Sequence, residues 1–414
     1  MRPTTVAEIR ARGRFRRTLP FLGPAFVAAI AYVDPGNFAT NVAAGSQFGY
    51  LLLWVIVGAN LLAMLIQALS AKLGLATGEN LAEQCRRHFP KPVSRGLWVQ
   101  AEAVAAATDL AEVIGGAVAL NLLFGLPLFV GGLVTGAVAF ALLALHGRGY
   151  RPFELVIAGL FAVILIGFLL TLIRVPIEPS ELAEGLVPRL QGQDSLLLAV
   201  GILGATVMPH VIYLHSALTQ RRITAETLDE RRFLLRHQRI DVLLGMGLAG
   251  LVNASMLIVA AGLFYGHAYD GTDTLEGVHA ALGQALDHNA ALLFAIALLA
   301  SGLASSGVGT YAGQVVMQGF IKRRIPLTLR RALTLAPALI VLGFGVDPTA
   351  ALVVSQVVLS FGIPFALVPL VMLTARKRVM GALVNRPVTT VLAGGAAVLV
   401  SGLNVVLLVR TFWG

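Results

Sequence analysis

AYVDPGNFATN, residues 31–41, places an acid, a proline, a glycine and an amide in consecutive positions (Asp34, Pro35, Gly36, Asn37) within a strongly apolar stretch. FLGPAFVAAI runs into it and VAAGSQFGYLLLWVIVGANLLAMLI runs out of it. Proline inside a helix removes a hydrogen bond and clashes with the preceding turn, so a helix must break here. In lipid the freed carbonyls need other partners, and such breaks survive only where they face protein or a water-filled cavity. An Asp before Pro also reads as the N-cap of the next helix, and Asn37 as a second cap. A carboxylate at mid-bilayer costs roughly 2.5–3.5 kcal/mol on insertion scales, which is a large expense for a cap alone.

The chain of 414 residues is 57% hydrophobic and 13% charged, with a mean hydropathy of +0.82. A soluble protein would carry about 25% Asp, Glu, Lys and Arg. Apolar stretches long enough to cross a bilayer as helices recur throughout. Eleven are expected, at about 20–48, 51–72, 97–120, 127–146, 153–173, 195–219, 240–265, 290–320, 327–346, 349–374 and 387–411. The fold class is therefore an all-α integral membrane protein, one polytopic domain over 1–414. The basic N-terminus lacks a short apolar region followed by a small-residue cleavage site, so no removed signal peptide is expected.

Charge placement supports this count. All but three of the 31 basic residues (Arg174, Arg189 and Arg410) fall in the N-terminal arm or in alternate loops. The remaining loops are acidic, with Glu178, Glu181, Glu184, Asp194, Asp270, Asp273, Glu276, Asp287 and Asp347. The positive-inside rule then puts the N-terminus in the cytoplasm and the C-terminus outside, in a cytoplasmic (inner) membrane. The net charge of +10 follows from topology and from attraction to anionic lipid, and implies no nucleic acid. Cys85 is the single cysteine, so neither a disulfide framework nor a thiolate zinc site is expected. No phosphate-binding P-loop and no His-Glu-x-x-His motif occur. No nucleophile and base recur at workable spacing, so an enzyme is not expected. The bilayer is the expected partner, with no obligate protein partner and no cofactor.

The sixth span, LLLAVGILGATVMPHVIYLHSAL, has its own break at Met208-Pro209-His210. Interrupted helices at matching places in two halves point to an inverted-repeat transporter with its substrate site at the midplane. The halves would be about 20–173 and 195–374, with an extra helix at about 387–411. Asp34 offers a hard anionic oxygen, Asn37 an amide oxygen and Met208 a soft thioether, while unwound backbone near Ala31 and Ala205 adds carbonyls. Calcium or magnesium would suit the oxygens alone, but sulfur favours a transition metal. Manganese or ferrous iron fits best.

DPGN in the first span together with MPH in the sixth resembles the Nramp (natural resistance-associated macrophage protein) family over essentially the whole chain. The resemblance implies a LeuT-type fold with a 5+5 inverted repeat and a proton-coupled importer of manganese, ferrous iron and similar divalent metals such as cadmium and cobalt. It implies Asp34, Asn37 and Met208 as metal ligands, with the carbonyl of Ala31 or Ala205 according to state. ALVVSQVVLSFGIPFALVPL in the tenth span resembles the segment whose glutamine completes the metal shell, here Gln356.

WVQAEAVAAATDLAEVIGG in the third span places Glu102, Asp109 and Glu112 at offsets of seven and three, on one helix face. Acids on a membrane helix face the bundle interior. They read either as a structural ion-pair network with Arg330 and Arg331 or as a proton wire. The resemblance supports the wire, implying the third-span acids with Arg330 and Arg331 as the proton route and setting Asp34 and His210 beside it. His215, a turn past His210, reads as a core or interfacial histidine rather than part of the inner route, and Gly201, Gly204 and Gly23-Pro24 as hinges or packing positions. SGLASSGVGTYAGQ (301–314) reads as tight packing. Two other classes share some of these features. A sodium-coupled small-solute symporter would need a group to meet its substrate's carboxylate or amine. A divalent cation channel would need a pore, and only a coupled carrier concentrates metal uphill.

Overall fold

Among the described residues, helices account for every long apolar segment. The computed structural model describes residues 23–146, 150–220, 227–267, 269–322 and 326–413, with Val6, Ile223 and Ala225 besides. Arg2, Arg10, Arg12, Arg14, Arg16, Arg17, Arg148, Arg221, Arg222, Arg323 and Arg324 lie outside the described residues, as do residues 20–22 of the first expected span.

The helices run in the order α1 (Pro24–Ala31), α2 (Pro35–Phe48), α3 (Leu53–Thr77), α4 (Leu81–His88), α5 (Lys91–Phe124), α6 (Leu128–His146), α7 (Tyr150–Leu172) and α8 (Pro179–Glu184). Then follow α9 (Gly192–Thr206), α10 (Pro209–Thr219), α11 (Leu228–Phe264), α12 (Leu275–Ala285), α13 (His288–Ile321), α14 (Leu327–Gly343), α15 (Pro348–Thr374), α16 (Lys377–Met380) and α17 (Pro387–Trp413). Among the described residues eight helical segments have the length and hydropathy to cross a bilayer, with α9 and α10 together counting as one. The shorter apolar stretches of α6 and α14, and the broken pair α1–α2, supply the other three expected crossings. The broken pair α9–α10 is the most enclosed of these segments and α17 the most peripheral.

Two spans start earlier than hydropathy alone indicates. α5 begins at Lys91 and α11 at Leu228, where LDERRFLLRHQR is too charged to register as membrane helix. The start of α11 is set by a capping box, Thr227 accepting from Glu230 N–H while Glu230 reaches back to the N-cap amide. Four short helices, α4, α8, α12 and α16, sit between spans; Asn80 and Glu83 form the same box at α4.

Proline also shapes the tenth span. Pro364 within α15 has no N–H to offer the carbonyl of Ser360, four residues back. Asn404 of α17 supplies it: its Nδ2 donates to Ser360 O at 2.9 Å, and Ser360 Oγ donates to Asn404 Oδ1 at 2.6 Å. The eleventh helix thus docks on the tenth by satisfying a carbonyl that lipid cannot.

Candidate functional site

Pro35 and Pro209 each delete the amide that would have bonded a carbonyl four residues earlier. Those carbonyls belong to Ala31 and Ala205, at the ends of α1 and α9. α1 stops at Ala31 and α2 restarts at Pro35; α9 stops at Thr206 and α10 restarts at Pro209, with Met208 as its N-cap. Other helices satisfy the unwound backbone of the first break. Asn253 Nδ2 of α11 donates to Tyr32 O at 2.8 Å, and Ser301 Oγ of α13 donates to Val33 O at 2.6 Å. Asn41 is held in turn, donating to Asn253 Oδ1 at 3.0 Å.

The carboxylate of Asp34 lies between these ends, fully buried. Its Oδ1 accepts from Asn37 N at 2.8 Å, which makes it the N-cap of α2, and from Asn37 Nδ2 at 2.7 Å. Asn37 is therefore no second cap. Its Nδ2 also donates to the freed Ala205 carbonyl at 3.0 Å, joining the first break to the second. From the tenth span, Gln356 Nε2 donates to Asp34 Oδ2 at 3.3 Å, and its buried Oε1 has no partner. Ala31 and Met208 are buried on the two breaks. One carboxylate, two side-chain amides and the freed Ala205 carbonyl are thus joined by hydrogen bonds, with Ala31 and Met208 on the flanking breaks. Among the described residues no three His, Cys, Asp or Glu side chains cluster in a way that could hold a metal ion.

Glycines let the helices approach this closely. A Cβ at Gly36 would lie 1.7 Å from Gln356 Nε2, and one at Gly204 would lie 1.9 Å from the Gln356 carbonyl. A Cβ at Gly115 of α5 would meet Pro35 at 2.0 Å. Close packing is what Gly204 does here. Gly23, with φ 151°, sits against the Glu154 carboxylate.

The third span passes beside the second break. Thr108 Oγ1 lies 3.2 Å from His210 Nδ1 and donates to Val104 O at 3.0 Å. A hydroxyl has one proton, so if Val104 receives it, His210 Nδ1–H is the donor to Thr108. His210 Nε2 is then a bare acceptor, and it is buried without a partner. Asp109 and Glu112 are buried as expected, whereas Glu102 is half-buried and accepts from Trp98 Nε1 at 3.2 Å. The small-residue stretch of α13 makes room for Glu112: a Cβ at Gly309 would come within 2.7 Å of its carboxylate. Arg330 and Arg331 lie on α14, but their side chains are outside the described residues.

Toward the basic loops a second polar chain leaves the first break. Tyr32 OH accepts from Gln67 Nε2, and Gln67 Oε1 lies 2.8 Å from His215 Nδ1. Gln238 Nε2 contacts His215 Nε2 at 3.4 Å and donates to Asp241 Oδ2 at 3.1 Å. Asp241 accepts from Gly23 N at 3.3 Å and Ala25 N at 2.9 Å, capping α1 from a distance. His215 is thus a satisfied core histidine. Sequence reading missed Asn41, Gln67, Asp241 and Asn253 and read Ser301 only as packing, although Gln67 and Asn253 are each a polar residue in an otherwise apolar stretch. That is the signal by which intramembrane polar residues declare a role.

Comparison with known proteins places this geometry. The family model for natural resistance-associated macrophage protein-like (Nramp) proteins matches residues 25–410. The divalent metal cation transporter MntH of Bacillus subtilis (strain 168) is 55% identical over 399 residues, 96% of this chain and 94% of that protein. A crystal structure of a mutant Eremococcus coleocola manganese transporter superposes with a TM-score of 0.87 at 33% identity, covering 99% of this chain and 92% of that one. Mhp1, a nucleobase-cation-symport-1 family transporter, shares the fold at 15% identity, with a TM-score of 0.63 over 98% of this chain and 91% of its own. The fold is LeuT-type, with its first and sixth helices broken and an eleventh helix appended.

Proposed function

This chain belongs to the Nramp family, and from that premise we propose that it is a proton-coupled secondary transporter that imports divalent transition-metal ions, Mn2+ and Fe2+, by alternating access. The observation that carries the reading is the junction at Asp34: one carboxylate meets Asn37 from its own span and Gln356 from the tenth, while Asn37 reaches the Ala205 carbonyl freed in the sixth. The ligands would be Asp34, Asn37, Met208 and Gln356, with the carbonyl of Ala31 or Ala205. Cadmium and cobalt suit the same donors.

Three N–H groups now aim at Asp34. A cation requires oxygens instead, so the side-chain amides of Asn37 and Gln356 must turn over, exchanging NH2 for C=O. Only the backbone N–H of Asn37 then stays on the carboxylate, keeping α2 capped. Met208 supplies the preference over Ca2+ and Mg2+, since a thioether is a poor ligand for hard ions. A divalent ion at Asp34 also disfavours a proton on the same carboxylate. The proton's way out runs by His210 Nε2, Thr108 and the acids Asp109 and Glu112, with Arg330 and Arg331 beyond. Glu102, half-buried, would sit at the end of that route. The basic loops support a cytoplasmic N-terminus, a C-terminus outside, and residence in the cytoplasmic membrane.

The test is Mn2+ uptake into proteoliposomes with an inward proton gradient, with and without excess Ca2+. Asp34→Ala should abolish uptake, and Ca2+ should compete only against Met208→Ala. Normal transport by Asp34→Ala would overturn the midplane site. Downhill flux with no accumulation against a metal gradient would favour a channel.

A further inference from the structure

A groove of about 810 Å3 opens at the basic end of the molecule, on a flank formed by α3, α11 and the start of α17. It is lined by Lys72, Arg232, Arg236, Arg239 and Arg386. Among the described residues no acid lines it, and none of the four arginines forms an ion pair with a described carboxylate. Arg232, Arg236 and Arg239 recur at offsets of four and three, so they form one row on α11. Lys72 Nζ donates to Asn385 Oδ1 at 2.7 Å, and Asn385 is itself anchored to Thr374, which fixes the ammonium at the groove wall.

Such a group of like charges is held together most simply by a counter-anion. The rest of the lining says which kind. Leu65, Leu69 and Leu235 share the groove with the cations. Its rim continues along the spans into exposed apolar side chains, Ile240, Leu243 and Leu244 on α11 and Val388, Val391 and Leu392 on α17. Charge where a membrane meets water, followed at once by an uncovered hydrocarbon face, matches an anionic phospholipid in both its parts.

We propose that this groove is a binding site for one anionic phospholipid, its phosphate among Arg232, Arg236, Arg239, Arg386 and Lys72 and its acyl chains against α11 and α17. The positive-inside pattern requires basic loops, but does not require them to converge on one cavity. The assignment is independent of the metal site and survives if that reading fails.

The experiment uses the full chain, delipidated in detergent and followed by native mass spectrometry while cardiolipin, phosphatidylglycerol or phosphatidylcholine is titrated. Wild type should retain one anionic lipid and no phosphatidylcholine. The double variant Arg236→Gln/Arg239→Gln should bind it roughly thirtyfold more weakly, since each cation near an anionic surface contributes about fivefold. Lys91→Gln/Arg95→Gln, which removes the same charge from exposed positions outside the groove, should bind as wild type does. Equal loss in both double variants would reduce the effect to diffuse attraction and overturn the site. Complete displacement by millimolar inorganic phosphate would identify a soluble anion and overturn the lipid assignment. If the glutamine variant does not fold, the wild-type lipid preference and phosphate competition still decide, and equal retention of phosphatidylcholine refutes the proposal.

Discussion

Asp34 performs two tasks with two oxygens. Oδ1 holds the end of α2 through Asn37 N–H, and Oδ2 faces the tenth span. Asp34→Asn keeps a capping oxygen and loses the charge, so the chain should fold while Mn2+ uptake falls by more than the roughly 10- to 100-fold expected for an outer-shell partner. Asp34→Ala should lose both, with a lowered Tm in detergent beside the lost uptake, because an N-cap contributes about 1 kcal/mol. Equal Tm values for the two variants would show that the cap is dispensable. The acid, the prolines and Met208 were legible in the sequence because each acts on its own stretch of backbone wherever the chain folds. Gln356 was named through resemblance only, since nothing in ALVVSQVVLS says which glutamine face meets residue 34, some three hundred residues away. Asn253 and Ser301 were not legible as partners of Tyr32 and Val33, because long-range packing alone decides which carbonyl an amide reaches.

At the scale of elements, proline and glycine divide the labour: one opens the ladder, the other lets a neighbouring helix come close. Asn404→Leu should leave the Ser360 carbonyl unsatisfied and cost about 1–3 kcal/mol, read as a lower Tm and a loosened eleventh helix by limited proteolysis. Gly204→Ala forces a methyl onto the Gln356 backbone carbonyl, at 1.9 Å, and overpacking of this kind costs typically about 1–3 kcal/mol. Gly283→Ala, whose nearest contact would be at 3.7 Å, should leave Tm unchanged. A stable Gly204→Ala would show that α9 and α15 can separate cheaply. Spans were legible because twenty apolar residues leave few alternatives. The starts of α5 and α11 were not, since their first turns lie among charges where hydropathy is silent; a capping box sets α11, and α5 starts between Pro90 and Pro92 with no side-chain cap.

For the whole molecule, the proposed proton and metal routes would diverge at Asp34, and on that proposal they should be separable. Asp109→Asn should retain part of the Mn2+ uptake while proton movement, followed by a pH-sensitive dye inside the vesicles, disappears; strictly parallel losses would contradict separate routes. The proposed odd number of crossings would set the two termini on opposite faces, and a fluorescent protein that matures only in cytoplasm should then report at the N-terminus and stay dark at the C-terminus. The last consequence concerns α1. It is a rod of eight residues, about 12 Å long. α11 grips it at both tips, Asp241 holding the amides of Gly23 and Ala25 and Asn253 holding the carbonyl of Tyr32. Tilting α1 away from α11 at one tip must break the grip there, at Asp241 or at Asn253, and only the loss of both grips frees α1 from α11.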